Sequence, residues 1–348
     1  MSTPLVLKFG GAAFAELDGF TRVARHVAGR AAAGQPVVVV VSAMSGTTGR
    51  LQETLDHLAP DPPAPAAAML LTSGETVSVA LLTAALDAAG VPAGAVPAAG
   101  TGLLGEGPPH HAELLRADPA PLCAALAAHP VAVVPGGQGV DADGRTVMLG
   151  RNSSDLSAVA LAGALGAPVC ELFSDVPGVC TADPRLVPAA RTLADVDYAT
   201  VARMSHHGAK VVHTRAVDWA RRTGVLLHCR PLPPLEGAGT RVGRGPASAA
   251  VVVAAHDERL TRVTALHADG RAEHALVPHP DAQDRARRAH EALFPGGPGG
   301  PGGPGGPGGP GGPGGPGGPG GPGVPGAQRD AAGLPPKARS PHSDVLIT

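Results

Sequence analysis

The sequence predicts an α/β fold, a three-layer α/β/α sandwich around a largely parallel central sheet. Three observations lead there. Strand-length apolar runs, each bounded by Gly or Pro, recur from Leu5 to His228. Segments of helical periodicity fill the gaps between them. The middle runs are apolar throughout rather than alternating, as strands buried on both faces must be. Strands that alternate with helices build βαβ units and a parallel sheet covered on both sides.

The first strand is Leu5–Leu7, which runs into Lys8-Phe9-Gly10-Gly11. A helix is expected between Phe20 and Ala33, where Val23 and Val27 share a face. Val37–Val41 is a fully buried strand. Val77, Leu81, Ala84 and Ala88 mark a helix before Gly90, with Ser73-Gly74-Glu75 at its start. Val131–Val134 is the next strand. Leu156, Ala160 and Ala164 define a helix that follows Ser154-Asp155 and stops at Gly166. Val169–Phe173 and Val225–His228 are further strands. Between them, Val211, Val217 and Ala220 suggest a helix running to Gly224.

This pattern ends near Gly239–Val242, so the main domain is expected over residues 1–243. Residues 244–294 read as a short appendage with one strand at Val251–Ala255 and one helix at Asp281–Leu293. About 45 residues is marginal for an independent core. From Pro295 the triplet Pro-Gly-Gly repeats to Pro322. The second Gly of each triplet removes the stiffness a collagen helix needs, so 295–326 is expected to be a flexible linker. Residues 327–348 lack periodicity and are expected to be a disordered tail.

Composition excludes several classes. The 348 residues carry 27 Lys+Arg and 29 Asp+Glu, a net charge of −2 with no basic block, so nucleic acid is not an expected partner. No uncharged apolar run reaches the ~18 residues of a membrane span. The four cysteines, at 123, 170, 180 and 229, form no C-x-x-C pair. Reduced thiols and the lack of a signal pattern fit a cytoplasmic protein.

Only three lysines occur, Lys8, Lys210 and Lys337. Lys8 and Lys210 stand in glycine-rich junctions, in a chain whose other positive charge is almost all arginine. Lysine is a compact point charge on a flexible stem, suited to following a moving phosphoryl group. Glycines after Lys8 let the backbone approach an anion. Ser42-Ala43-Met44-Ser45-Gly46-Thr47-Thr48 follows a strand, where open α/β sheets place ligands. Glu75 at a helix start is also what the helix dipole alone would favour. In Gly150-Arg151-Asn152-Ser153-Ser154-Asp155 the hydroxyls suit helix capping. Arg151 has no capping role, and a bidentate grip on a carboxylate would explain it. Ser174-Asp175 opens a long loop that contains Asp183 and Arg185. Arg185 could reach a polyphosphate or simply be a surface charge.

In this order the motifs resemble the catalytic domain of aspartate kinases in the amino acid kinase family, over about residues 4–243. Lys8-Phe9-Gly10-Gly11, Val41–Gly46, Gly74-Glu75, Gly150–Ala158, Ser174–Arg185 and Gly208–Arg215 carry the resemblance. It implies transfer of a phosphoryl group from ATP, with Mg2+, to the side-chain carboxylate of L-aspartate. Lys8 would stabilise the transferring group, and Asp155 would orient Lys8. Arg151 would clamp a substrate carboxylate and Glu75 would receive the ammonium, with Ser42, Thr48 and Ser154 completing the pocket. Gly10 and Gly11 would offer amides to the phosphates, and Ser174, Asp175, Asp183, Arg185 and Lys210 would face the nucleotide. No dedicated metal ligand is evident. Partners would be the amino acid and ATP, and a homodimer is compatible. The departures are Ala12, Ala13, Gly137, Asn152, Ser153, Pro177 and Cys180. They leave open a kinase acting on another amino acid or carboxylate, or a ligand-binding homologue without turnover. The appendage would be a remnant regulatory segment, and end-product inhibition would be lost.

Overall fold

The computed structural model describes residues 3–295 except 234 and 236. The linker and tail expected over 295–326 and 327–348 lie, apart from Pro295, outside the described residues. The chain opens with β1 (Leu5–Phe9), α1 (Asp18–Ala31), β2 (Val37–Val41), α2 (Thr47–Leu58) and α3 (Ala64–Ala88). There follow β3 (Ala93–Ala95), β4 (Leu103–Glu106), β5 (Glu113–Ala117), α4 (Ala120–Ala128), β6 (Val131–Pro135), β7 (Gln138–Val140) and β8 (Thr146–Met148). Then come α5 (Ser154–Ala164), β9 (Val169–Ser174), β10 (Asp195–Asp197), α6 (Tyr198–His206), α7 (Thr214–Thr223), β11 (Leu226–Pro231) and β12 (Thr240–Gly243). The last elements are β13 (Ala250–Ala255), β14 (Leu260–Leu266), β15 (Ala272–Pro278) and α8 (Ala282–Leu293).

The central sheet has the order β10-β12-β11-β9-β1-β2-β6-β3. Every pair in it is parallel except β11–β12. A smaller sheet, β5-β4-β7-β8, lies beside it. The β7–β8 hairpin turns at Asp141–Gly144, with Gly144 at φ +78°.

The five valines of β2 explain the layering. Successive side chains on a strand point to opposite faces. Val37, Val39 and Val41 therefore join Phe20, Val23 and Val27 of α1 and Leu82 and Leu86 of α3 in one core. Val38 and Val40 join Leu156, Val159 and Ala160 of α5 in the other. All five are fully buried, so no position on this strand tolerates a polar residue without an unpaired group.

Two expectations change. The helix expected from Val77 begins at Ala64, which puts Glu75 in its middle rather than at its start. A dipole role for Glu75 therefore falls away, because that effect fades within the first turn. Among the described residues α3 alone is long and apolar enough to cross a membrane. Here it is a core helix, with Ala68, Leu71, Val79, Leu82 and Leu86 buried. The appendage, in turn, holds three strands rather than one. β13-β14-β15 is an antiparallel sheet with α8 against it. Its apolar residues are shared with the main domain: Ala250, Val252 and Leu266 enter the α5-side core, and Val251, Val263, Ala286 and Ala289 bury with Ala182 and Val187.

Candidate active site

The carboxyl ends of β1, β2, β6 and β9 and the start of α5 converge on a cavity of about 840 Å³. Close approaches of backbone create it. A Cβ on Gly11 would lie 2.9 Å from Ala43 O, and one on Gly136 would lie 2.5 Å from Ser154 Cβ. A Cβ on Gly74 would lie 2.8 Å from Ala43 Cβ. Glycine at these places lets α3 and α5 press against the loops that carry the polar groups.

Lys8 and Asp155 form the centre. Lys8 points to the α5 side of β1, and its Nζ lies 2.8 Å from Asp155 Oδ1, with both side chains largely buried. The other carboxylate oxygen, Oδ2, accepts the His213 backbone N–H at 3.1 Å. Asp155 is thus held from two sides and fixes the ammonium tip at the cavity floor. Ser42 Oγ and Ser154 Oγ are 2.9 Å apart, linking the end of β2 to the start of α5.

Glu75 hangs from the middle of α3. Its Oε1 accepts the Ala43 N–H at 3.2 Å. Burial raises its pKa to about 7, against a smaller lowering from the Ala43 N–H. A carboxyl group starved of solvent, with backbone N–H groups as its only donors, is poised to receive a cation. Arg151 is exposed in the turn before α5. Ser153 Oγ donates to Gly150 O at 2.6 Å and closes that turn. Asn152 within it has φ +58°, the one non-glycine with positive φ among the described residues; asparagine is among the residues that best accept this conformation.

The cavity brings together Lys8, Gly10, Gly11, Ser42, Thr48, Glu75, Arg151, Ser154, Asp155, Ser174, Asp175 and Lys210. Of the two expected backbone donors, Gly10 already gives its N–H to Phe173 O at 3.4 Å. Asp183 and Arg185 do not line the cavity. They pair with each other, Arg185 Nε donating to Asp183 Oδ1 at 3.1 Å and Nη2 to Oδ2 at 3.2 Å. Sequence reasoning missed Leu71, Thr72, Met148 and Ser205 as wall residues. Leu71 and Thr72 stand one helical turn before Glu75, a signal that needed the true start of α3. No group of His, Cys, Asp and Glu among the described residues could hold a metal ion by itself.

Residues 3–230 match the model of the amino acid kinase family. An aspartokinase of Thermus thermophilus is 36% identical over 289 residues, 83% of this chain and 69% of that protein. The chain belongs to the amino acid kinase family. An aspartokinase of Mycolicibacterium smegmatis is 40% identical over 65% of this kinase chain and 54% of its own length. The kinase chain thus spans about half to two-thirds of these curated relatives. Among solved structures, the aspartate kinase of Synechocystis superposes with a TM-score of 0.61 at 35% identity, covering 69% of this chain and 39% of that one. E. coli aspartokinase III in complex with aspartate and ADP superposes with a TM-score of 0.61 at 26% identity, covering 74% and 68%. The family's mixed α/β architecture with a mostly parallel sheet is the one described above.

Proposed function

We propose that this amino acid kinase transfers the γ-phosphoryl group of ATP to the side-chain carboxylate of L-aspartate, yielding 4-phospho-L-aspartate and ADP. The observation that carries this reading is the Lys8–Asp155 pair at 2.8 Å, at the floor of a cavity that also holds Glu75 and Arg151. The relatives named aspartokinase and the aspartate and ADP bound in the E. coli structure support it.

The reaction suits these residues. A carboxylate is already ionised at neutral pH, so the acceptor attacks without a general base. The γ-phosphorus–oxygen bond to ADP breaks as the bond to the acceptor oxygen forms, and no proton moves. The task left to the protein is alignment and charge neutralisation. Lys8 stabilises the migrating group, and Asp155 holds Lys8 in place. Arg151 clamps the α-carboxylate in bidentate fashion. Glu75 receives the α-ammonium, whose arrival restores its ionised form. Ser42, Thr48 and Ser154 complete the acceptor pocket. Gly11, Ser174, Asp175 and Lys210 serve the nucleotide side, with Gly10 leaving room beside Lys8 Nζ and the Asp183–Arg185 pair on the loop that Ser174 and Asp175 open. Mg2+ would arrive bound to the ATP phosphates, with Asp175, which lines the cavity, as a carboxylate able to assist in holding it, and it would lessen the charge repulsion between phosphates and acceptor. The proposed assembly is a homodimer, which light scattering on the purified 34.3 kDa chain decides.

Hydroxylamine trapping tests the reaction. Aspartate, ATP and Mg2+ should yield aspartyl hydroxamate, with glutamate and other carboxylates far slower. Turnover with a different acceptor and none with aspartate would refute the assignment.

A further inference from the structure

We infer that the unit formed by β13, β14, β15 and α8 is a brace that positions the nucleotide-side loop, and that its key is the buried hydrogen bond between His290 and Thr181. This inference rests on the proposed ATP-dependent reaction and gives the appendage a working role in it, rather than that of a remnant.

The loop in question leaves the cavity at Ser174 and Asp175 and runs to β10. Thr181 is where it is tied down. Its N–H donates to Arg191 O at 2.9 Å, and its carbonyl accepts the Val251 N–H of β13 at 2.8 Å. Its Oγ1 accepts the Arg191 N–H at 3.0 Å and lies 2.9 Å from His290 Nε2 on α8. His290 is only 3% exposed, and its ring lies 4.6 Å from that of Phe294, tilted by 37°. Burial, reinforced by Arg191, lowers its pKa and keeps the ring neutral. The Thr181 hydroxyl can then donate its own proton to Nε2 while accepting from Arg191. Buried partners of this kind leave a costly orphan when one is removed.

Other contacts reinforce the same loop. Ala182 and Val187 bury among Val251, Val263, Ala286 and Ala289. Gln283 and Arg287 of α8 both donate to Leu186 O at 3.3 Å. A second cavity loop leans on the same unit. Arg203 donates to His267 O at 3.1 Å, and a Cβ on Gly208 would lie 2.6 Å from Ala254 Cβ. Lys210 stands two residues beyond Gly208. Both loops on the nucleotide side therefore rest on the appendage, whereas Glu75 and Ser42 rest on α3 and β2.

The test is a split between the two substrates in the full chain. His290→Phe keeps the ring contact with Phe294 and removes the hydrogen bond. It should raise both the ATP dissociation constant, measured by calorimetry, and the KM for ATP by about 5–10-fold, the scale of one lost buried hydrogen bond. The kcat and the KM for aspartate should stay within about two-fold. His290→Gln, whose amide can still meet Thr181, should recover most of the loss. Thr181→Val removes the bond from the loop side, and the double variant should be no worse than either single one. Unchanged ATP binding, equal rises in both KM values, or loss of the fold in both single variants would overturn the brace. A wild type that binds ATP but forms no hydroxamate would sink the proposed reaction alone, because the brace is then judged on ATP binding.

Discussion

Two ion-paired clusters lie one position apart on neighbouring strands and differ in everything else. Lys8 of β1 faces α5, and Glu171 of β9 sits opposite Leu7 in register and so faces α1. Glu171 is closed in. Arg30 gives it two hydrogen bonds, at 2.6 and 3.0 Å, and Arg230 gives it one at 3.0 Å. Burial alone would raise the Glu171 pKa, and the two arginines overcome this and hold it below the ordinary value. Lys8 instead has one carboxylate partner and opens onto the cavity. The lesson concerns satisfaction of charge. A buried carboxylate with two cations has nothing left to offer a ligand, whereas an ammonium with one partner keeps donors for a phosphoryl group.

The largest effect should come from Lys8→Met. Turnover should fall by about 10²–10³-fold, the usual loss when one preorganised charge donor is removed. Steady-state hydroxamate formation measures it, and thermal melting should show a folded protein. Glu171→Gln should do the reverse. It leaves two cations short of a partner and should cost about 2 kcal/mol in urea unfolding, below the 3–5 kcal/mol of a fully enclosed pair because both arginines are partly exposed. Its kcat should be unchanged. The Glu171 contribution is fully present above pH 4.5, the ordinary value, and is lost as pH falls through the lower folded-state pKa. A Glu171→Gln protein as stable as wild type at pH 7 would show that the two clusters do not differ in this way.

Glu75→Gln sharpens the contrast. A carboxyl whose folded pKa is raised binds more protons folded than unfolded, so stability declines as pH rises from 4.5 to about 7 and is then level. At pH 8 the unliganded Gln variant should therefore be more stable than wild type by about 1–2 kcal/mol, and the gain should vanish near pH 4.5. The same change should raise the aspartate KM by about 10-fold or more, through loss of an ammonium partner. Urea titrations at two pH values and initial rates check both halves. The smallest effect concerns the turn before α5. Asn152→Ala should cost about 1 kcal/mol for a side chain in left-handed backbone, with Asn152→Gly within about 0.5 kcal/mol of wild type by thermal melting.

Much of this was legible in the chain. The five expected strands stand as the residues suggested, because buried parallel strands leave local marks; that Asp155 orients Lys8 came only from the family resemblance, and the structure places the two 2.8 Å apart. Glu75 was misplaced for a specific reason. Pro65 and Thr72-Ser73-Gly74 look like breakers, yet proline is favoured in a first turn and Gly74 answers the 2.8 Å approach to Ala43. The strands β14 and β15 were missed because their pairing and burial depend on partners distant in sequence. Nothing near Thr181 signals His290, 109 residues away. Asp183 and Arg185 show the limit of motif order, since two charges within one turn are free to satisfy each other.

The most direct measurement is a crystal structure of the protein with a non-hydrolysable ATP analogue, Mg2+ and aspartate. It should place the γ-phosphate within about 3 Å of Lys8 Nζ, as a charge-assisted hydrogen bond requires, with the amino acid's carboxylate on Arg151 and its ammonium on Glu75. A nucleotide or aspartate seated away from these side chains would contradict the account.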